Sequence, residues 1–373
     1  MTSARERGGL GWSAWLALAV LTALPARAVA KQQFVYVHDR SAPGGIRAWA
    51  MDKDGRLTSV AGSPFVLVDQ GGGCSGNCQT MAYSPKRKTL YTGGPTGVSA
   101  WTVAPNGSLT LVPGSPFSPG AGGDFLGTGV VEIGKRVFVY AASYADNNVY
   151  GWEAQPDGSL AELAASPFAA GVGPDGLAVR KKLVFVANEG DSGASPSSLS
   201  SYVAATDGTL VPAPGSPFTP NDVNFIYNLS PDARGKVVYA DDFEVGIRAF
   251  AVDNKTAQLT EIAGSPFETV LGGLGVLVTK KLAYALSGFA DDAFQPFAIG
   301  KKGVLTSTGI KGNAPLAVAA FAGDKSGKRL VFAGTDSIAT ATIDDKKEGS
   351  LTGLDLEGIV DSINANAVVM LKR

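Results

Sequence analysis

His38 is the sole histidine of the chain, and Arg40 follows two residues later. In an extended segment, side chains two apart point the same way, so imidazole and guanidinium would face one ligand. A histidine near neutral pH can take a proton from water, and an arginine can stabilise a developing oxyanion. Together they would suit the opening of an ester-like bond. No third residue identifies itself as the group that would orient the imidazole. The plainer expectation is therefore a solvated loop histidine beside a loop arginine.

Carboxylates form the second candidate set. Asp146, Glu189, Asp241, Asp242, Asp291 and Asp292 stand in short polar stretches between β-rich runs, where they are candidate ligand-binding groups. Calcium takes about six to eight oxygens, so Asp241-Asp242 or Asp291-Asp292 alone would not hold it. There is no EF-hand spacing, zinc motif, phosphate loop, nucleophile elbow or nucleic-acid signature, and neither metal nor cofactor is expected. Cys74 and Cys78, the only cysteines, are expected to pair in an oxidising compartment. So small a ring contributes about 2 kcal/mol. A thiolate metal site would need about four ligands, and the chain has one histidine to offer.

These groups must be carried by a repeat. Ser-Pro-Phe recurs with its serine at Ser63, Ser115, Ser166, Ser216 and Ser265. A Gly-x-Leu element recurs at Leu57, Leu109, Leu160, Leu210, Leu259, Leu305 and Leu351, with Ala257 replacing the glycine once. Its steps of 52, 51, 50, 49, 46 and 46 residues suit a β-propeller rather than a helical solenoid. Glycine at 48 and proline at 21 fit many short strands joined by tight turns.

Aligned copies give four strands each. An aromatic precedes each of the first six Gly-x-Leu leucines by eight or nine residues, as Trp49, Trp101, Trp152, Tyr202, Phe250 and Phe297, before Thr342 breaks the series. Aromatics at one register of every copy are expected to pack between blades rather than to stack on a ligand. Second strands are expected at runs such as Phe34-Val35-Tyr36-Val37 and Leu183-Val184-Phe185-Val186, and inner strands at small apolar runs. The latter include Gly176-Leu177-Ala178-Val179, Phe225-Ile226-Tyr227, Leu316-Ala317-Val318 and Ala367-Val368-Val369. The fourth strand is expected to end at Ser-Pro-Phe, with proline on a water-facing edge. The fold expected is an all-β, seven-bladed propeller with four-stranded blades, closed by pairing the C-terminal inner strand with the N-terminal strands in one blade.

Residues 1–30 read as a secretory signal peptide: Arg5 and Arg7 as its basic head, Trp12 to Leu24 as its apolar run, and Ala26-Arg27-Ala28 or Ala28-Val29-Ala30 as its cleavage site. The apolar run is shorter than the roughly 20 residues of a spanning helix. Residues 31–373 are then one propeller domain, exported to the periplasm or beyond, monomeric, and without a membrane span after cleavage. That portion holds 29 basic and 32 acidic residues, a balance that points to neither nucleic acid nor anionic membrane. Charge is nevertheless sorted. First-to-second turns carry 17 basic residues against Glu132, Asp232 and Asp324, whereas loops of the opposite face carry 16 acids, opposed by Arg40 and Lys311.

Phe185-Val186-Ala187-Asn188, the Asp/Asn-Gly-x-Leu turns and the Gly-Ser-Pro-Phe ends resemble the YVTN-type repeats of lactonase-family seven-bladed propellers. The resemblance spans nearly all of Phe34 to Met370 and implies the fold. It also implies enzymes similar to 6-phosphogluconolactonase and carboxymuconate cycloisomerase. The histidine-containing inner-strand starts of those enzymes are replaced here by Gln79-Thr80-Met81 and Pro174-Asp175-Gly176. The sequence therefore leads to the expectation of a non-catalytic binding module that meets a small molecule or protein through its acidic loop face. The alternatives are a lactonase or cycloisomerase-like enzyme acting on sugar or carboxylated lactones, with His38 and Arg40 as its candidate pair, and a cell-envelope structural protein.

Overall fold

The computed structural model describes residues 32–39, 45–66, 81–191, 194–223, 225–269, 275–286, 294–312, 318–324, 326–334, 337–344, 349–357 and 365–372. Residues 1–30, Arg40, Cys74, Cys78, Asp291 and Asp292 lie outside them.

Seven antiparallel sheets, each with a path of four strands, account for nearly all regular structure among the described residues. Blade 4 shows the plan: Pro174–Arg180, Leu183–Asn188, Ser198–Ala204 and Leu210–Pro212 pair in that order from the inside out. Blade 1 takes its inner strand from Ala365–Lys372, which pairs antiparallel with Gln33–Asp39. The inner strands touch in cyclic order around the ring, and all seven line a central cavity of about 310 Å³.

Strand alternation explains why the ring holds. On Gln33–Asp39, Phe34 and Tyr36 pack toward blade 2 while Val35 and Val37 pack toward blade 7. Among the described residues every blade interface has its own apolar cluster of this kind. Each of Trp49, Trp101, Trp152, Tyr202, Phe250 and Phe297 is buried in the interface with the preceding blade, so packing is their role. Burying a side chain such as Phe250 is worth about 1.5–3 kcal/mol.

The Gly-x-Leu glycine supplies a second brace. Second-strand Tyr36 donates its hydroxyl to Gly107 O of the next blade at 2.8 Å, and Tyr140 does the same to Gly208 O at 2.6 Å. Gly107 sits at φ +86, and a Cβ there would lie 2.4 Å from the Phe34 ring, so both turn and close approach demand glycine.

Ser-Pro-Phe does not end the outer strand. The fourth strand is only three residues long, as in Leu57–Ser59, and after a turn the motif's phenylalanine pairs back onto the third strand, Phe65 opposite Ile46 and Phe168 opposite Val149. The serine hydroxyl spans the break by accepting the third-strand N–H of Ala48, Ala100, Gly151, Ser201 or Ala249 at 2.9–3.2 Å. This satisfies a backbone donor that the interrupted outer strand would leave open. Blades 6 and 7 lack the motif, and their outer strands are Leu305–Ser307, of 3 residues, and Ser350–Glu357, of 8 residues.

One inner strand falls later in the chain than its apolar run suggests: in blade 5 the strand is Leu229–Pro231, and Phe225 to Tyr227 form its approach. In blade 7 the described strand is Val318–Gly323, and Leu316 and Ala317 lie outside the described residues.

Candidate active site

The carboxylates meet where blades 3, 4 and 5 present the ends of their second strands. Asp241 occupies such an end, next to last in Val237–Asp242. Its Oδ1 accepts the N–H groups of Asn228 at 2.6 Å and Tyr227 at 3.1 Å, while Oδ2 is buried with no hydrogen-bond partner. Burial pushes its carboxyl up to about 8, against the two amide bonds that favour the charged form.

Asp175 starts the inner strand of blade 4, where the register with Leu183–Asn188 shifts between Pro174 and Leu177. Such irregularities re-aim side chains. The Asp175-Gly176 stretch is wedged between neighbours: a Cβ on Gly176 would lie 2.2 Å from Tyr227 O, and one on Gly127 would lie 2.4 Å from Asp175 O. Asp175 is buried and its Oδ1 has no partner. Burial, and then the charges of Glu189 and Asp241, hold this carboxyl well above the usual range.

Glu189 follows the second strand of blade 4, its backbone N–H donating to Gly173 O at 2.7 Å. It is partly buried, which raises its pKa, while the neighbouring Tyr144 and Tyr227 hydroxyls offset part of that rise. Both phenols are shifted upward, first by burial and then by the Glu189 charge. Phe225 stacks on Tyr227 at 6.2 Å and 6°, and Phe243 meets Tyr227 edge-on at 6.3 Å. Burial thus disfavours the charged form of all three carboxyls, strongly at Asp175 and Asp241, while Glu189 is the partly exposed member of the cluster. Paired titratable groups pushed apart in this way can divide acid and base roles. Among the described residues, no group of three or more His, Cys, Asp or Glu side chains is placed to hold a metal ion.

The other sequence candidates lie elsewhere. Asp242 accepts from Arg248 Nε at 2.7 Å, and Arg248 also reaches Glu261 at 3.0 Å and Asp222 O at 2.7 Å. Asp146 accepts from Ser143 Oγ at 2.6 Å and Tyr150 OH at 2.7 Å; such bonds, against burial, hold its carboxyl below the usual range. His38 is not solvated: it is fully buried in blade 1, at the register position that Asp241 occupies in blade 5. Both stand opposite the isoleucine of a Gly-Ile-Arg-Ala tetrapeptide, Gly45 to Ala48 and Gly246 to Ala249. Asp39 and Arg47, joined at 2.6 Å, repeat the Asp242–Arg248 pair. Sequence reasoning missed Tyr144, Tyr227, Arg47 and Arg248 and gave Asp175 no role of its own. The repeated tetrapeptide, each copy preceded by an acid, was the available signal for the two arginines.

A surface cavity of about 910 Å³ lies on the opposite face beside Lys181, Lys182 and Lys255. Its one carboxylate, Glu132, already accepts from Ser84 Oγ and the Lys86 N–H, so the cavity carries no comparable set of reactive groups.

No protein-family model and no curated protein matches the sequence. Solved structures do match the fold. A candidate 6-phosphogluconolactonase from Bacteroides fragilis is similar at TM-score 0.69 and 16% identity, over 92% of this chain and 99% of that one. A second candidate 6-phosphogluconolactonase, from Bacteroides uniformis, gives 0.69 and 16% over 92% and 100%. The periplasmic gluconolactonase of Pseudomonas aeruginosa gives 0.62 and 16% over 91% and 99%. The likeness to lactonase-type propellers therefore holds at the level of the fold. It also corrects the expectation of a non-catalytic binding module acting through an acidic face, because these full-length neighbours carry lactonase names and favour the enzyme alternative. The acidic-face argument weakens independently: burial disfavours the charged forms of Asp175 and Asp241, and Asp39 and Asp242 are paired with Arg47 and Arg248.

Proposed function

We propose that this chain is a lactone hydrolase whose reaction centre is Glu189, set beside Tyr144 and Tyr227 and close to the buried carboxyls of Asp175 and Asp241. The observation that carries the reading is the gathering of one partly exposed carboxylate and two buried carboxyls of raised pKa in one cluster, on a fold shared with lactonase-named proteins. Glu189 takes a proton from water as the water oxygen bonds to the lactone carbonyl carbon. A tyrosine hydroxyl donates to the developing oxyanion. The acyl carbon–ring oxygen bond then breaks, the ring oxygen takes the proton, and a hydroxy acid leaves. Asp175 and Asp241, being buried, act through Glu189: burial disfavours their charged forms and so limits the negative charge beside it. We further infer that residues 1–30 direct export and that 31–373 is the working domain; amino-terminal sequencing of exported material would test this.

The deciding experiment follows lactone consumption by the purified protein with Glu189→Gln alongside. The expected result is turnover above the uncatalysed rate that falls about 10²–10⁴-fold in the variant at unchanged melting temperature. Wild-type turnover no faster than buffer would reject the proposal.

A further inference from the structure

The last paired residues of the second and third strands are Ser143 with Asn148 in blade 3, Asn188 with Ser198 in blade 4, and Asp242 with Gly246 in blade 5. The residue that follows is Tyr144, Glu189 and Phe243 respectively. One position of the repeat, read across three consecutive blades, is thus aromatic, carboxylate, aromatic. Tyr144 is 39% and Phe243 is 37% exposed, which sets them apart from the buried aromatics of the blades. The set is continuous: Tyr144 and Tyr227 both lie beside Glu189, and Tyr227 meets the Phe243 ring edge-on. Phe225 beneath is held at φ +48, an uncommon backbone state for a bulky residue and of the kind that clusters where a ligand is clamped.

Exposed aromatic faces suit the C–H faces of a sugar-like ring, and carboxylates beside them accept from hydroxyls. Asp191 and Glu244 extend the same loops and supply such acceptors. Cations to receive an anionic substituent are scarce. Arg47 and Arg248 are engaged with Asp39 and Asp242, and the loops of this face otherwise carry Lys311 and Arg40, the latter outside the described residues. A phosphate or carboxylate brought to this mouth would meet Glu189 and Asp191 without a compensating charge.

We propose that the cleft takes an uncharged, polyhydroxylated lactone, its ring against Tyr144 and Phe243 and its carbonyl carbon toward Glu189, and discriminates against lactones bearing a phosphate or carboxylate. This rests on the lactonase reading for the reaction, but the recognition can be measured without it.

The test compares kcat/KM for glucono-1,5-lactone with that for its 6-phosphate, and measures binding of the unreactive gluconolactam by calorimetry. The expected preference for the uncharged lactone is at least about tenfold, the size of effect a doubly charged group feels near one carboxylate. Phe243→Ala and Tyr144→Ala should raise KM and weaken lactam binding about tenfold, with kcat changed less in Phe243→Ala. Equal or better use of the phosphorylated lactone would overturn the inference while leaving hydrolysis standing. Lactam binding that Phe243→Ala weakens, without turnover, would uphold recognition and remove the hydrolase reading. Lactam binding that is absent or indifferent to both substitutions would sink the inference whatever the turnover.

Discussion

Arg248 donates through Nε to Asp242 Oδ2 at 2.7 Å, and the two side chains are only 3% and 1% exposed. A buried pair of this kind contributes modestly when intact, because desolvation offsets much of the attraction, yet losing one partner strands a charge. Arg248→Ala should therefore cost about 3–5 kcal/mol. Arg248→Ala combined with Asp242→Ala should cost less than Arg248→Ala alone. Denaturant melts of the three proteins measure this, and a single variant as stable as the parent would show that the pair organises nothing.

Asp241 gives the fold a pH dependence of definite sign. Its pKa is raised from 3.8 in the unfolded chain to about 8 in the folded one, so between those values the folded state binds the extra proton. The associated stability is fully present below about 3.8 and is lost as pH rises through about 8. Asp241→Asn keeps an oxygen for the Tyr227 and Asn228 amides and removes the titration. Its melting temperature should match the parent near pH 4 and exceed it increasingly toward pH 8, while lactone turnover loses its decline above about 8. Parallel stability curves for the two proteins across that range would contradict the assignment.

Gly176 tests the wedge. A methyl group there would stand 2.2 Å from Tyr227 O, a backbone atom that cannot swing aside. Gly176→Ala should destabilise by about 1–3 kcal/mol through overpacking. Since Tyr227 also lies beside Glu189, it should also raise KM. A variant with parental stability and KM would mean that the blades do not rely on this approach.

Periodicity carried most of the fold. The Gly-x-Leu leucines and the third-strand aromatics sit at one register because each blade interface requires the same packing, so their spacing alone locates the blades. The inner strand of blade 5 was harder, since Phe225 to Tyr227 has strand composition but lies outside the pairing, where the amides of Tyr227 and Asn228 donate to Asp241. The carboxylates were readable as loop residues; their fates were not. Asp175, Asp241 and Asp242 differ from Asp191 in burial, and burial depends on how closely neighbouring blades approach at that one turn. Local sequence records such an approach only through Gly127 and Gly176, two glycines among 48.

Closure of blade 1 by Ala365–Lys372 has a consequence for how the protein is made. That strand leaves the ribosome after all the others it must complete, so Gln33–Asp39 waits with one edge unpaired while more than 300 further residues are synthesised. At ~5–20 residues per second this lasts on the order of tens of seconds. Over that interval the nascent chain is an open arc whose edge and apolar flank could pair with other chains. Ala365, Ala367, Val368 and Leu371 then cover the flank, and the arc becomes a ring in one late event.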